Sequence, residues 1–417
     1  MNKDSKLYCN WADRGLALHN SGGALLCCHS RTFLHDSNSQ QIFWHTHTLD
    51  DAWSSPTRKE IQNALEDEIQ HPNCNACWEI ENTGGTSRRQ HHNSIDIDYS
   101  DTVDSPLLLD LKLGNVCNLS CRTCNPYVSS KWIKDWWLTI DSKKEDNPYG
   151  TFEQYAKEKF KSWRLSYNDD NTKFWDKLHE WLPHAQYIDI YGAEPMLIHK
   201  LFDTLEYSIA QGYNTNQVLH FNTNCTIWNQ RYIDILSKFK KVYFDLSIDG
   251  LYNHFNYIRN GETWEVVSEN ISRYEQYKKE DVSRLVSICI TVSFFNIYYI
   301  DEIFQYFEQR GWHIHFNMAH LPQHTNLKII PPQVKTAIIK KLLQSRSQKF
   351  LQEIAPILSY MNETLTPNAW DYNKPLWSEL VRITTELDVI REQSFSETFP
   401  EFYNLVSPFW MQEKHSM

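Results

Sequence analysis

Residues Leu107 to Trp132 read LLLDLKLGNVCNLSCRTCNPYVSSKW. Leu107, Leu109, Leu111 and Leu113 alternate with Asp110 and Lys112, the period-two pattern of a β-strand. Gly114 ends the run, and a loop follows that carries Cys117, Cys121 and Cys124. Three thiolates so close in sequence can converge on one soft metal centre, whereas a closed zinc site needs a fourth ligand from elsewhere. Iron–sulfur clusters normally take four cysteines. Three would hold a four-iron cluster and leave one iron open to another ligand.

Downstream, strands and helices alternate. Helices are expected at 129–140, 174–182, 199–211, 229–239, 263–279 and 298–310, and strands at 187–191, 217–223, 241–248, 285–293 and 313–318. With the strand at 107 this makes six strands in βαβ units, hence a parallel sheet. Ligands of such sheets bind beyond the carboxyl ends of the strands. Four short motifs fall there: Gly192-Ala193-Glu194-Pro195, Asn222-Thr223-Asn224-Cys225, the run from Asp245 to Gly250, and Ile258-Arg259-Asn260-Gly261. Each alone reads as a turn or a helix cap; it is their order that points to one site.

Upstream, residues 1–104 read as a separate small unit with five cysteines: Cys9, the adjacent Cys27 and Cys28, and Cys74-x2-Cys77. Gly22-Gly23 suits a hairpin turn into a short strand, and Ile61, Leu65 and Ile69 form the apolar stripe of a helix over 57–70. A zinc site completed by His29, His45, His47, His91 or His92 is one outcome for these thiols. The acidic stretch from Ser94 to Ser105 reads as a linker, and residues 141–170 as a polar excursion. Past residue 320 the prolines at 322, 331 and 332 break the alternation, and helices are expected at 333–344 and 376–393. That segment, 321–417, is expected to close the barrel or to pack on the N-terminal unit, and shows no chemistry of its own.

Cys117-x3-Cys121-x2-Cys124 after a strand resembles the cluster loop of the radical S-adenosylmethionine (SAM) enzymes. Thr123 stands where that family often has an aromatic residue. The resemblance implies an open six-stranded (β/α)6 partial barrel over 105–320, and a [4Fe-4S] cluster whose free iron chelates SAM. It also implies reductive cleavage of SAM to a 5′-deoxyadenosyl radical that takes hydrogen from a substrate. Gly192, Ala193, Glu194 and Pro195 resemble the family's GGEP loop. Asn224, Ser247, Asp249 and Arg259 then become SAM contacts, with Arg259 on the cofactor carboxylate. Cys225 replaces a usual glycine. Cys74 to Glu79, with Gly85-Thr86-Ser87-Arg88-Arg89 and Asn93, is similar to the SPASM or twitch module, placed before the barrel, and Gly84-Gly85 would let backbone approach a cluster there. It implies an auxiliary [4Fe-4S] cluster on Cys9, Cys74, Cys77 and one of Cys27 and Cys28, with Cys27 favoured. Relatives with that module mostly act on peptides or proteins, and an electron donor such as flavodoxin or ferredoxin is implied.

Composition bounds the alternatives. The chain has 417 residues, formal net charge −11 and no basic run, which argues against a nucleic-acid partner. No long apolar run suggests a membrane span, and the start of the sequence lacks a secretory h-region. Ten cysteines without an export signal fit metal or redox chemistry in the cytoplasm. Two other outcomes stay open: a related enzyme acting on a small metabolite or sugar, and a non-catalytic zinc- or cluster-binding protein.

Overall fold

The computed structural model describes the chain except residues 2, 4, 45, 83–84, 101–103, 145–146, 164–171 and 417. His45, Gly84, Asp101 and part of the 141–170 excursion therefore lie outside the described residues.

The architecture is α/β. One open sheet of eight strands runs in the order β2-β1-β3-β4-β5-β6-β7-β8. The strands are β1 (Gly15–Leu18), β2 (Ala24–Leu25), β3 (Leu108–Leu111), β4 (Tyr187–Ile190), β5 (Val218–Thr223), β6 (Lys241–Ser247), β7 (Arg284–Val292) and β8 (His313–Met318). All neighbours are parallel except β1 and β2, which are antiparallel. From β3 to β8 the spatial order equals the chain order, as in a sheet wound one way into a partial barrel.

The expected six-stranded sheet is thus corrected to eight. The two additional strands come from the N-terminal segment: β1 pairs parallel with β3, Leu16 opposite Leu109. Gly15-Leu-Ala-Leu is short and buried throughout, so it offers no alternation to read. Its side chains join Leu34, Trp44, Leu109 and Leu111 in one continuous apolar core.

Strand β3 also lacks a solvent face. All four of its residues are buried, Asp110 included. In β5 and β6 the alternation is clear: Leu219, Phe221, Val242 and Phe244 are buried under the helices, where Phe202 stacks on Tyr232 and Phe244 meets Tyr274. The opposite residues, His220 and Asp245 among them, face the barrel interior.

Beyond β8 the chain is helical, with long helices at Gln348–Glu363, Pro367–Ile390 and Pro400–Ser416. Phe395, Phe402 and Trp410 pack with Phe294 after β7; the rings of Phe395 and Trp410 stack at 4.9 Å. Among the described residues no helix is long and apolar enough to cross a membrane.

Candidate active site

The three-cysteine loop leaves β3 through Gly114, whose φ of 99° only glycine adopts readily. The loop is strapped to the segment after the helix Tyr252–Ile258: Ser120 N–H donates to Asn260 O at 2.7 Å and Arg122 N–H to Ile258 O at 2.8 Å. Gly261 makes that approach possible. Its φ is 122°, and a Cβ there would lie 2.8 Å from Asn118 O and 3.1 Å from Leu119 Cα. Gly261→Ala is therefore expected to destabilise the protein by ~1–3 kcal/mol, read as a lower melting temperature. Iron retained at the loop should fall with it.

Within the loop, Cys121 and Cys124 share a hydrogen bond. It holds the Cys121 thiol below its usual range and pushes Cys124 well above it. Burial pushes Cys117 up to about 12, and the charge of Cys121 adds to that. Arg259 lies close enough to favour the ionised form of both Cys121 and Cys124. Among the described residues no three His, Cys, Asp or Glu side chains are grouped tightly enough to hold one metal ion. The loop offers instead three thiols that act on one another's charge, and this donor set suits a cluster that takes one thiol per iron.

Of the predicted strand-end residues, Glu194, Asn224, Asp249 and Arg259 lie beside this loop. Gly192 and Ala193 both have positive φ, 83° and 56°. Glu194 N–H donates to Val116 O at 3.1 Å. Its fully buried carboxylate accepts from Met196 N–H, Thr223 Oγ1–H and Asn224 N–H at 2.7–3.0 Å. Burial nonetheless raises it to about 7. Glu194 is therefore a tie between the ends of β4 and β5, with its oxygens already engaged. Pro195 is buried beside it. Asn224 donates to Asn118 Oδ1 at 2.9 Å and lies 3.7 Å from Cys117 Sγ. Cys225 adopts φ 62°, the left-handed conformation suited to the glycine it replaces. Ser247 ends β6 opposite Cys289.

Arg259 and Asp249 form a buried pair, Nε to Oδ2 2.9 Å and Nη2 to Oδ2 2.8 Å. Asp249 Oδ1 accepts from Thr291 N–H. Two guanidinium nitrogens of Arg259 are thus committed to Asp249, and the side chain sits beside the cysteines as a fixed positive charge.

Sequence reasoning missed the residues that cover the loop. Arg122, between the second and third cysteines, is buried; it lies 3.7 Å above the Tyr257 ring and donates to Asp388 at 2.6 Å and Gln393 at 2.9 Å. Trp132 Nε1–H donates to Cys121 O at 2.6 Å, and Arg391 lies over its ring. Ile383 and Leu387 pack on Trp132 with Cys124 alongside. The C-terminal helix Pro367–Ile390 and the turn after it therefore wall the loop, in a segment expected to carry no chemistry. Only an arginine inside a cysteine loop, a costly residue to bury without a partner, hinted at this.

The N-terminal thiols divide. Cys9, Cys27, Cys74 and Cys77 act on one another's charge: burial comes first and the neighbouring thiols next in raising Cys74, while burial pushes Cys9 to about 11 and Cys27 to about 12. Arg89, paired with Glu81 at 2.6 Å, lies beside Cys9 and Cys74. Cys28 turns the other way, toward Asp110, Arg88 and Lys112.

Across the barrel interior His220 spans two carboxylates, Nδ1 to Asp189 3.1 Å and Nε2 to Asp245 3.0 Å. Despite burial these raise the imidazole from 6.5 to about 10. Because the folded value lies above the unfolded one, this stabilisation is complete below pH 6.5 and is lost as pH rises through about 10. The difference in urea midpoint between wild type and His220→Gln should thus be widest below pH 6.5 and narrow toward pH 10.

No family model matches the sequence. No curated protein matches it either. Solved structures do. Native anSMEcpe with bound AdoMet aligns with a TM-score of 0.40 and 18% identity, over 58% of this chain and 60% of that one. The same protein with AdoMet and the Kp18Cys peptide gives 0.39 and 14%, over 74% and 99%. Streptococcus suis SuiB bound to precursor peptide SuiA gives 0.33 and 10%, over 70% and 60%. The chain is similar in structure to both proteins. It spans about 60% of the length of the first of these structures.

Proposed function

We propose that the protein is a radical SAM enzyme that modifies a peptide or protein. The observation that carries this is the convergence of the Cys117, Cys121 and Cys124 loop with Gly192–Glu194, Asn224, Asp249 and Arg259 at the strand ends. When bound, a [4Fe-4S] cluster on these thiols would supply the electron that cleaves SAM to a 5′-deoxyadenosyl radical.

The chain's own residues then have separable tasks. Arg259 offsets the anionic charge of the thiolates, and Asp249 fixes its direction. The positive-φ turn at Gly192 and Ala193 brings backbone close to the loop, and Glu194 holds that turn to β5. Trp132, Ile383 and Leu387 cover one side of Cys124 with apolar surface. The peptide as substrate class rests on the sequence resemblance, as does a flavodoxin- or ferredoxin-type electron donor; the cytoplasmic setting rests on cysteine content without an export signal, and the division into units at 104/105 and 320/321 on the change of sequence pattern there.

Cys9, Cys27, Cys74 and Cys77 are the proposed ligands of the auxiliary cluster. Anaerobically reconstituted protein should carry about eight irons per chain. Cys27→Ser is expected to lower that to about four, whereas Cys28→Ser retains about eight; equal losses in both would remove the assignment. The activity itself is tested by anaerobic incubation with SAM and dithionite, scored as 5′-deoxyadenosine by mass spectrometry. Absence of that product from iron-replete protein overturns the proposal.

A further inference from the structure

A cleft of about 580 Å3 opens at the amino ends of the strands, on the side of the sheet away from the cysteine loop. Asp13 and Arg14 line it just before β1, and Asp104 before β3. The start of the helix Pro56–Glu66 closes the other side, with Trp53 and Ser54 ahead of it.

The charges in this cleft are unequal. Lys3, Arg14, Arg58 and Lys59 face Asp13 and Asp104, so cations exceed carboxylates by two, the amine of Met1 left aside. Both carboxylates are also engaged. Asp104 Oδ1 accepts from Trp53 Nε1–H at 2.7 Å, and Asp13 Oδ2 from Tyr8 O–H at 3.1 Å. Among the described residues Lys3, Arg58 and Lys59 have no carboxylate at ion-pair distance.

The helix start adds to this excess. Its first turn carries no acidic residue, and the N-cap Ser55 leaves the helix amides alone, its hydroxyl donating to His35 O at 2.7 Å instead. The positive end of the helix dipole is thus uncompensated, and Arg58 and Lys59 stand where an acid is usually favoured. Arg58 is the buried member, 6% exposed. Its guanidinium lies 3.6 Å over the Trp53 ring, Nη2 donates to Asp13 O at 2.6 Å, and Nε is enclosed without a partner. Nη1 makes no hydrogen bond among the described residues and is the donor left to the cleft. Burial lowers the guanidinium to about 10 in spite of Asp13 and Asp104, as for a cation short of a counterion.

We infer that this cleft binds a dianionic phosphate group, held by Arg58 and Lys59 at the start of the helix. A dianion matches the excess of two positive charges, whereas a carboxylate would leave one of them over. Trp53 and the Asp13 carbonyl hold the guanidinium in place before the ligand arrives. The cleft is larger than phosphate alone needs, and its polar walls suit a phosphomonoester of a small hydroxylated molecule. The site lies apart from the cysteine loop and stands whether or not the chain cleaves SAM.

Isothermal titration calorimetry on the full-length, iron-loaded protein tests this with ribose 5-phosphate, inorganic phosphate and ribose in a phosphate-free buffer. Ribose 5-phosphate should bind saturably, with a dissociation constant on the order of 0.1–1 mM, and ribose should not bind. Phosphate as tight as the ester would make free phosphate the ligand, and weaker phosphate the ester; both outcomes support the site. Arg58→Gln and Lys59→Gln should each weaken the ester by about tenfold or more. Lys349→Gln, at an exposed lysine of the helix Gln348–Glu363, should leave its affinity unchanged. Melting curves and iron content check that the variants fold. Lys59 is exposed, so its variant decides should Arg58→Gln fail to fold. No saturable binding of either phosphate, ribose binding as tight as its phosphate, or unchanged affinity in either folded variant overturns the inference.

Discussion

Changing Cys117, Cys121 and Cys124 together to alanine is expected to reduce 5′-deoxyadenosine formation to that of a protein-free control and to lower iron from about eight to about four per chain. The effect is large because no other group replaces the three thiols: Cys225 is buried against the helix Trp264–Glu280, and Cys289 is engaged by Asn317 at 3.1 Å. Cys289→Ala is the matched control and should keep both iron and cleavage. A triple variant that still cleaves SAM reductively would place the chemistry elsewhere.

The second large effect is expected from Arg122→Met. The guanidinium is fully buried and Asp388 is 17% exposed, so the pair is screened little by solvent. Removing one partner of such a pair costs ~3–5 kcal/mol, which lowers the melting temperature by roughly 5–15 °C. Tyr257 O–H and Phe395 N–H still hold Asp388, which puts the expectation toward the lower end. Because Arg122 sits between Cys121 and Cys124, iron at this loop should be lost at lower temperature than the fold itself. A background of Cys74→Ala and Cys77→Ala isolates the loop's iron for that measurement. Asp388→Asn should reproduce part of the effect, and the double variant should cost less than the sum of the two. Full additivity would mean that the two side chains act independently.

These contacts show why sequence exposed one part of the site and hid another. Cys117, Cys121 and Cys124 are neighbours in the chain and announce themselves by spacing, and the strand-end motifs are legible because the period of two stops where they begin. The helices flanking β5, β6 and β7 were likewise readable, to within a few residues at each end. Arg122 and Asp388 are 266 positions apart, and nothing local in either half predicts the other. The pairing of Asp110 with Asp189 was hidden for another reason. Alternation in β3 assigned Asp110 to the face opposite the leucines and was right about that. It could not tell that a partial barrel buries the opposite face too. The helix Pro400–Ser416 contains Pro408 and was masked, and Pro367–Ile390 contains Pro375, so it was expected only from 376; tertiary packing supports both through residues that normally argue against a helix.

The seam between β1 and β3 bears on how the chain can be cut. Leu16 and Leu18 supply the backbone pairing along one side of Leu109 and Leu111. A fragment beginning near residue 105 would expose that side of β3 as a bare apolar edge, a template for strand addition from another molecule. Such a fragment is expected to elute as aggregates in gel filtration, however complete its cysteine loop. The barrel of this protein is closed off at its first strand by residues synthesised some ninety positions earlier, so the two regions become soluble together or not at all.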